Sequence, residues 1–418
     1  MRQHRQRVAV IGAGIIGVCV ANALLKDGYD VEMIDPVEPG TPGQCSYGNA
    51  GGIAPGACIP NATPGLVRNI PKWLLDPEGP VFIRLMHLPH ALPWLLRFIM
   101  TSSEKRTREI GAAMRSLHRL SFDCYEPLLR EAGCEDLLLK RGQLFVFEDP
   151  SGPEKSGFSL SMRRENGVKY EILSEAAVHD LEPALGPVIK RGIFLPEQGQ
   201  CPNPGRLVGS LARLAVGCGA VVTADKVTGF ELGASGPMAV RTEGGQRIAA
   251  DHFVLAAGAR SSALAKALGT RVPLESERGY HAMIHSAATG LRVQTISSER
   301  KFVAAPMEEG LRVSGVVEFA GLDAPPDPRR ANVLVRQARA IFPGLDTFAV
   351  TPWMGHRPGT PDSIPVIERS RRHHNVVFAF GHGHQGMIAG SVTGRLVSEL
   401  VAGRPTSIDL HPFRSSRF

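Results

Sequence analysis

Three glycines and one aspartate near the start of the chain have the types and spacing that bind the phosphates and ribose of a dinucleotide. An apolar run leads into Gly12, Gly14 and Gly17, and a second apolar run ends at Asp35. Gly12 permits a tight turn, Gly14 lets the backbone approach a pyrophosphate, and Gly17 lets the next helix pack closely on the sheet. The phosphates are expected at the positive N-terminus of that helix.

The order strand, glycine turn, helix, strand and acidic residue predicts how these groups are positioned. Ile15 and Ile16 begin the predicted helix and are counted with the cofactor site. Asp35 lies 23 residues after Gly12, where a carboxylate accepts hydrogen bonds from a ribose hydroxyl and repels a 2′-phosphate. NADP is therefore disfavoured, whereas NAD and FAD stay open. A glycine-rich turn that binds nothing is the alternative.

Composition limits the classes of function. The 418 residues, 43% hydrophobic and 21% charged, are typical of a globular protein large enough for two connected domains. The net charge is +7, yet no Lys/Arg run exceeds 371–372 and no basic motif is rich in aromatics, so no nucleic-acid partner is expected. Seven cysteines without a Cys-x-x-Cys pair indicate reduced thiols and argue against zinc, so no metal is predicted.

Two segments bear on localisation. The polar residues 1–6 run directly into the first strand and leave no room for a signal peptide, which predicts a cytoplasmic protein. Residues 80–100 form the most apolar window of that length, but Arg84, Arg97 and internal prolines make it too broken to span a bilayer. We predict a helix pair that covers a substrate cavity or lies in a membrane interface, with peripheral contact on the inner face of the cell membrane as a possible consequence.

The middle of the chain predicts a ligand-contacting loop and a second sheet. Residues 36–64 lack periodicity, and loops of this length within a domain are usually functional, although a flexible surface loop is the alternative. One amphipathic helix is expected over 110–130, and two strands joined by a turn over 137–147. The small and polar residues expected to approach the ligand are Ser46, Asn49, Ala50 and Gly51.

The alternating pattern of the first unit returns twice. A strand over 220–227 ends at Val227, and a buried strand over 251–259 ends at Ala257 and Gly258. The strand 375–380 runs into Gly381, Gly383 and Gly386 before an apolar helix that begins at Met387. The carboxyl ends of such strands line the cofactor crevice of a dinucleotide fold.

The two domains are therefore interleaved along the chain. The prediction is an α/β protein whose second domain is α+β. Residues 1–65, 205–275 and 350–418 form a Rossmann-like cofactor domain. Residues 66–204 and 276–349 form a substrate domain on a mostly antiparallel sheet with capping helices.

Taken together, these stretches resemble the D-amino-acid oxidase/dehydrogenase superfamily of FAD flavoenzymes over nearly the whole chain. The resemblance rests on the first glycine motif with Asp35, Ser-Tyr-Gly-Asn-Ala-Gly at 46–51, the strand end 254–259, and the stretches 353–365 and 381–387. The branch that looks most similar is the bacterial D-amino-acid dehydrogenases, including D-hydroxyproline dehydrogenases. Those enzymes tend to have Thr-Leu-Gly after the late Gly-His-Gly, and His384 begins a different sequence here, which leaves the substrate open.

The resemblance implies non-covalent FAD and hydride transfer from the α-carbon of a D-amino acid or imino acid to flavin N5. Electrons would then pass to a quinone or another respiratory acceptor. Arg357 would bind the substrate carboxylate through its guanidinium, unless it only ties its loop to the cofactor domain. Tyr280 and His281 would form a substrate-facing wall, with a structural role as the alternative. His384 would tune the flavin or contact substrate, unless it caps the turn.

Other classes of enzyme share parts of this pattern. An oxygen-using amine oxidase of the glycine or sarcosine type and an FAD subunit of a heteromeric amine-oxidising complex would keep the same cofactor motifs. An NAD-dependent dehydrogenase would share the first unit but would not need the second glycine turn. Bound flavin in the purified protein would exclude the NAD-dependent dehydrogenase and would keep the FAD-dependent classes.

Overall fold

The computed structural model describes residues 5–65, 76, 78–234, 236–285 and 290–418. Its strands, in chain order, are β1 Arg7–Ile11, β2 Asp30–Ile34, β3 Gly52–Ile53, β4 Val81–Ile83, β5 Gln143–Phe147, β6 Glu171–Leu173, β7 Arg191–Leu195, β8 Gly199–Gln200, β9 Val221–Thr223, β10 Val227–Gly233, β11 Gly236–Thr242, β12 Arg247–Ala249, β13 His252–Leu255, β14 Glu275–His285, β15 Gln294–Ser297, β16 Phe302–Met307, β17 Gly310–Phe319, β18 Val350–Gly359, β19 Val366–Arg369 and β20 Val376–Phe380.

The helices connect these strands and cover both large sheets. In chain order they are α1 Ile15–Lys26, α2 Leu88–Met100, α3 Glu104–His118, α4 Ser121–Glu131, α5 Gly152–Lys155, α6 Gly157–Glu165, α7 Glu175–Leu181, α8 Pro204–Gly217, α9 Ser261–Ala267, α10 Arg329–Ile341 and α11 Gly386–Val401. Among the described residues, no helix is long and apolar enough to cross a bilayer.

A six-stranded sheet carries the first glycine turn. Its order is β19-β20-β13-β1-β2-β9, and the strands run parallel except β19, which pairs antiparallel with β20. Strands such as β1 and β20 are short apolar runs because both faces of the sheet are covered, one by helices and the other by the three-stranded sheet β10-β11-β12 and α9. Helices α1 and α11 pack against each other on one face, so both predicted glycine turns open at the same edge.

A nine-stranded sheet forms the second layer of the molecule. Its path is β18-β14-β17-β16-β15-β5-β7-β6, with β4 beside β17. Most pairs are antiparallel, and the parallel ones are β5 with β15 and β4 with β17. Helix α10 covers the face whose core contains Tyr280, Leu334 and Phe342. The predicted α/β class with a mostly antiparallel second sheet is confirmed.

The division of the chain into two domains stays a prediction, and one strand bears on its boundaries. Residues 350–359 were expected in the cofactor domain. They form β18, which pairs with β14 at the edge of the second sheet, from Glu275 opposite Gly359 to Ile284 opposite Val350. The segment that carries Arg357 therefore belongs to the second sheet by its hydrogen bonding.

Two predictions of helices were wrong. The helix expected over 110–130 is two helices, α3 and α4, because the Ser121 hydroxyl bonds the His118 carbonyl and competes with the backbone ladder. The helix pair expected over 80–100 is strand β4 followed by α2. Its β-branched and aromatic residues Val81, Phe82 and Ile83 pair with β17 instead.

Two predictions of strands were also wrong. Within 137–147 only β5 is a strand, and Leu139 forms an isolated bridge to Gln200. The strand expected over 220–227 is interrupted after Thr223: β9 pairs with β2 in the first sheet, and Val227 begins β10 of a separate three-stranded sheet. Periodicity along the chain cannot show that β9 and β10 belong to different sheets, because strand pairing depends on contacts between segments that are distant in sequence.

Candidate active site

The backbone around the first glycine turn is packed so closely that it leaves no space for side chains. Gly12 has φ +105°, and a Cβ placed there would lie 2.4 Å from the carbonyl oxygen of Ala256. A Cβ on Gly17 would lie 1.9 Å from the carbonyl oxygen of Gly12. The turn is fixed from outside as well, since the Gly12 amide donates to the Ile34 carbonyl at 2.8 Å.

The start of α1 is held by two polar side chains from other elements. The Ile15 amide donates to the Ser46 hydroxyl oxygen at 3.0 Å. The Asp35 carboxylate accepts from the amides of Ala13 at 2.8 Å and Val37 at 2.9 Å. Burial raises the pKa of Asp35, and these amide bonds oppose the shift. Gly14, the N-cap, has no side chain to cap the helix, so the first turn keeps amides for an anion.

The remaining predicted residues of this region lie in the first turn of α1, at the start of β10 and just after β13. Ile16 is half-buried in the first turn of α1. Val227 packs in the same apolar cluster as Ile34. Ala257 follows β13, and Gly258 begins a 3₁₀ turn with φ +54°. The structure thus brings these positions to the edge of the sheet that holds the first glycine turn.

The loop between Ser46 and Gly51 connects the two glycine turns. The Asn49 side chain accepts from the Gly51 amide at 2.8 Å and donates to the His384 carbonyl at 3.3 Å. The carbonyl oxygen of Ala50 accepts from the Gln294 amide at 2.6 Å. Gly51 has φ +76°, and a Cβ there would lie 2.1 Å from the carbonyl oxygen of Cys201. The loop is therefore an ordered bridge, unlike a slack surface segment.

The second glycine turn is built like the first. Gly381 and Gly383 have φ +85° and +54°, and the Gly383 amide donates to the Pro358 carbonyl at 2.9 Å. Gly386 begins α11, and the buried Tyr125 hydroxyl donates to the Met387 carbonyl at 2.7 Å. The start of α11 is thus anchored by α4, with its first amides free of intrahelical acceptors.

A cavity of about 350 Å³ lies between this turn, the loop at 45–59 and the second sheet. Among the described residues that line it, none is Asp, Glu or Tyr. The cationic and imidazole side chains in the lining are Arg163, Lys301, Arg357 and His384. A cavity with positive charge and no carboxylate is suited to an anionic ligand.

Arg357 faces this cavity with its charge unpaired. Its guanidinium lies over Gly279, where a Cβ would be 2.3 Å from the Arg357 Cζ. Among the described residues, no hydrogen bond or ion pair to this guanidinium is found. Glu277, opposite it in register, is buried, and burial raises the Glu277 pKa to about 7 although Arg357 opposes the shift. Near pH 7 much of Arg357's charge is therefore free for a ligand.

The other predicted catalytic residues have different surroundings. The Tyr280 hydroxyl donates to Glu318 at 2.6 Å and accepts from the Asp327 amide at 3.0 Å, on the face of β14 that packs away from the cavity. His281 lies behind the cavity wall. It stacks on Trp353 with ring centroids 4.9 Å apart, and its Nδ1 lies 3.1 Å from the Gly48 carbonyl oxygen. Burial lowers the His281 pKa to about 3, so this imidazole is neutral.

His384 lines the cavity, whereas its neighbour His382 does not. Burial, followed by the charge of Arg357, lowers the His384 pKa to about 4. The His384 side chain is exposed, and it lines the cavity. His382 is buried, and its Nε2 lies 3.0 Å from the Thr393 hydroxyl on α11. His382 thus ties the turn to α11, whereas the His384 ring stays available to a ligand.

The cavity wall also contains residues that were not predicted as site residues. Trp353 begins the stretch 353–365 that carries the family resemblance, and the two-residue period of a strand places it on the same face of β18 as Arg357. The other polar side chains in the wall are Gln143, Arg163, Gln198, Gln294 and Lys301, and they come from separate elements.

Comparison with known proteins gives a consistent answer. Residues 7–400 match the family described as DAO, FAD dependent oxidoreductase. The chain is 39% identical over 419 residues to a D-amino-acid oxidase of Bradyrhizobium diazoefficiens, covering 99% of each protein. The chain belongs to the DAO family. Two solved structures share the fold: glycine oxidase from Geobacillus kaustophilus, with TM-score 0.76, 20% identity and all of both chains covered, and L-proline dehydrogenase from P. horikoshii, with TM-score 0.75, 18% identity and 99% and 98% covered.

Members of the DAO family bind FAD, and the residues present fit that cofactor. The strict need for glycine at positions 12 and 17 leaves room for a pyrophosphate, and the amides of the first turn of α1 beyond Ile15, which Ser46 holds, are available to it. Asp35 would meet the ribose. The amides of Gly386 and Met387 would face the electron-rich edge of the flavin ring. The chain thus has the binding groups that an amino-acid-oxidising flavoenzyme needs for FAD.

Proposed function

We propose that this DAO-family enzyme oxidatively deaminates a D-amino acid, or a D-imino acid such as a D-hydroxyproline, and passes the electrons to a membrane quinone. The Arg357 guanidinium carries the proposal. Among the described residues it has no hydrogen-bond or ion-pair partner, and it faces a cavity whose described lining has no carboxylate, between the second glycine turn, the loop at 45–59 and the second sheet. The D configuration is supported by the relative at 39% identity, which is a D-amino-acid oxidase.

When bound, FAD supplies the acceptor for the hydride that leaves the substrate α-carbon. Arg357 would hold the substrate carboxylate through two parallel hydrogen bonds and so orient the α-carbon. Trp353, whose indole nitrogen donates to the Pro42 carbonyl at 2.8 Å, forms a fixed wall beside it. The low pKa keeps His384 neutral, so it does not compete for the carboxylate.

The lining also determines how the amine loses its proton. No carboxylate or phenol of the described lining could act as a base, so an ammonium group would give its proton to water before oxidation. The first amides of α11, at Gly386 and Met387, would stabilise negative charge as it develops. The imino product would then hydrolyse in water to a keto acid.

Anaerobic bleaching of the flavin absorbance tests this function. The purified holoenzyme is mixed with D- and L-amino acids, D-proline, hydroxyproline isomers, glycine and sarcosine. Bleaching by D but not L isomers is the expected result. A protein that bleaches only with glycine or sarcosine would instead be an amine oxidase of that type. A flavin that none of these compounds reduces would contradict the proposal.

Oxygen is the second candidate for the electron acceptor, and it is favoured by the relative at 39% identity, which is named as an oxidase. Admission of air after bleaching separates the two. Recovery of the flavin colour only with a soluble quinone is expected of the proposed dehydrogenase. Rapid recovery in air with formation of peroxide would establish an oxidase and leave the amino-acid chemistry unchanged.

The surface around α2 supports contact with a membrane that holds the quinone. Met86 and Met100 are 94% and 77% exposed, and Leu92 and Leu96 are also exposed. Arg97 is exposed on the same helix, and the chain carries a net charge of +7. An apolar surface with cations binds anionic headgroups. Co-sedimentation with anionic vesicles, reduced by Met86→Asp but not by a substitution at exposed Arg371, is the expected outcome. Equal co-sedimentation of the Met86 variant would contradict membrane contact.

A further inference from the structure

The cavity has a second cationic end, at Arg163. An α-carboxylate bound at Arg357 would leave this second cation without a partner. Arg163, on α6, lines the cavity and is 8% exposed. Its guanidinium lies 4.8 Å from the ring centroid of Phe145. Among the described residues it has no carboxylate or hydrogen-bond acceptor. A buried cation without an anion is costly, so its natural complement is a negatively charged ligand.

A second unpaired donor lies at the same end. Gln198 is 2% exposed and lines the cavity. Its Oε1 accepts from the Gly56 amide at 3.0 Å, which fixes the orientation of the side-chain amide. Its Nε2 is buried without an acceptor in the described part of the chain. Phe145, beneath Arg163, packs against Cys58, and Gln198 bonds Gly56 two residues earlier, so both donors lie beside one segment.

The two cationic ends of the cavity are separate. Arg357 lies over Gly279 of β14 at one end, whereas Arg163 lies over Phe145 of β5 at the other. Across the second sheet, Arg357 stands on the edge strand β18, and Phe145, beneath Arg163, stands on β5. The FAD phosphates do not explain Arg163, because Gly12, Gly14 and Gly17 are not part of this lining.

We propose that the substrate is a dicarboxylic amino acid, with its α-carboxylate on Arg357 and its side-chain carboxylate on Arg163 and Gln198. This rests on the proposed function and names its substrate class. Lys301, at the more exposed rim between β15 and β16, attracts the same anion. The substrate thereby bridges two buried donor sets, and a neutral side chain of equal size would leave the inner donors unpaired.

Substrate pairs of equal shape test the proposal directly. The holoenzyme is assayed with D-glutamate against D-glutamine and D-aspartate against D-asparagine. We expect kcat/KM for the acid to exceed that for the amide by about a hundredfold. If D-alanine or the amides reduce the flavin as well as the acids, the substrate class is wrong but the proposed function stands. If no amino acid reduces the flavin, the function itself fails.

Variants of Arg163 and Gln198 provide a second test of the proposal. Arg163→Met is expected to lower kcat/KM for D-glutamate about thirtyfold or more and that for D-glutamine less than about threefold. Arg163→Lys should restore part of the loss because it keeps the charge. Gln198→Glu keeps the acceptor for Gly56 but places a negative charge at the site, so it should also suppress the acid. Arg164→Met, on the exposed neighbour that donates to Tyr170, should change neither substrate.

Binding of unreactive acids gives a readout that does not depend on turnover. Calorimetry with the holoenzyme should show glutarate binding about tenfold or more tightly than butyrate, and the difference should disappear in Arg163→Met. Equal affinities for the two acids in the unmodified protein would overturn the proposal. If Arg163→Met fails to fold, the same comparison in Gln198→Glu decides, since this isosteric change preserves the Gly56 contact.

Discussion

Replacement of Arg357 by methionine removes the cation that we propose for the substrate carboxylate. Methionine keeps much of the side-chain length over Gly279 without charge. Each charge-assisted hydrogen bond contributes about 1.5–3 kcal/mol, so the loss of a bidentate pair should weaken substrate binding by about 3 kcal/mol. Because about 1.4 kcal/mol corresponds to a factor of ten, we expect a loss of about a hundredfold in affinity.

The assay compares an amino acid with its α-amide, which lacks the negative charge. The unmodified enzyme should prefer the acid, and Arg357→Met should lose that preference because its effect on the amide is small. Arg357→Lys keeps the charge but not the bidentate fork. Its affinity for the substrate should therefore be at least about a tenth of that of the unmodified enzyme. Arg371→Met, at an exposed position, changes the net charge equally and should leave the preference intact.

Flavin content and thermal stability decide between this role and a structural one. If Arg357 only ties its strand to the cofactor domain, Arg357→Met should lose FAD or unfold earlier while its acid-to-amide preference persists. We expect the opposite: near-normal flavin content and a lost preference. The neighbouring Glu277 reinforces this expectation, because a protonated carboxyl does not need Arg357 as a partner.

Other changes test the cofactor cradle and the buried carboxyl. Gly12→Ala should abolish flavin binding, measured as flavin absorbance per protein, because its Cβ would meet a backbone carbonyl 2.4 Å away, whereas Gly28→Ala, also at positive φ but with nothing within 4 Å, should retain FAD. Ser46→Ala removes the oxygen that accepts from the Ile15 amide and should lower the free energy of unfolding of the apoprotein by about 1 kcal/mol in urea titrations, with an unchanged value contradicting the cap. Burial raises the Glu277 pKa from 4.5 to about 7, so the folded state binds the proton more tightly than the unfolded chain and stability falls as pH rises between these values. Glu277→Gln should therefore gain in melting temperature relative to the unmodified protein between pH 5 and pH 8, by the equivalent of about 3 kcal/mol at most, and a constant difference would show that this carboxyl ionises normally.

The sequence alone determined those parts of the protein that are built from neighbouring residues. Gly12, Gly17 and Asp35 belong to one strand-turn-helix-strand unit, and their roles follow from spacing because a helix and its flanking strands leave little freedom over so short a distance. The same holds for Gly383 and Gly386 ahead of α11. The first turn needs glycine because a Cβ at Gly12 or Gly17 would meet a backbone carbonyl, and the second because Gly381 has φ +85° and a Cβ there would lie 2.8 Å from Thr360 Cγ2.

Only the tertiary structure decided which side chains of the second sheet meet the cavity. Nearly every residue of β14 is buried on both faces, so alternation of polar and apolar residues could not assign Tyr280 and His281 to a side. A register shift between Gly279 and His281 adds to this ambiguity. In the structure the Tyr280 hydroxyl joins Glu318 on the far face, whereas His281 supports the cavity wall.

The residues at the inner end of the cavity were even less predictable from the sequence. Arg163 lies on α6, Gln198 ends the turn between β7 and β8, and Gly56 belongs to the long loop after β3. No local pattern joins residues so far apart in sequence, and a single arginine on a helix is ordinarily exposed. Their convergence depends on sheet pairing and helix docking, which are long-range contacts. The residues that bind the cofactor can thus be recognised from local sequence. The residues that we propose to select the substrate come together only through the packing of distant segments.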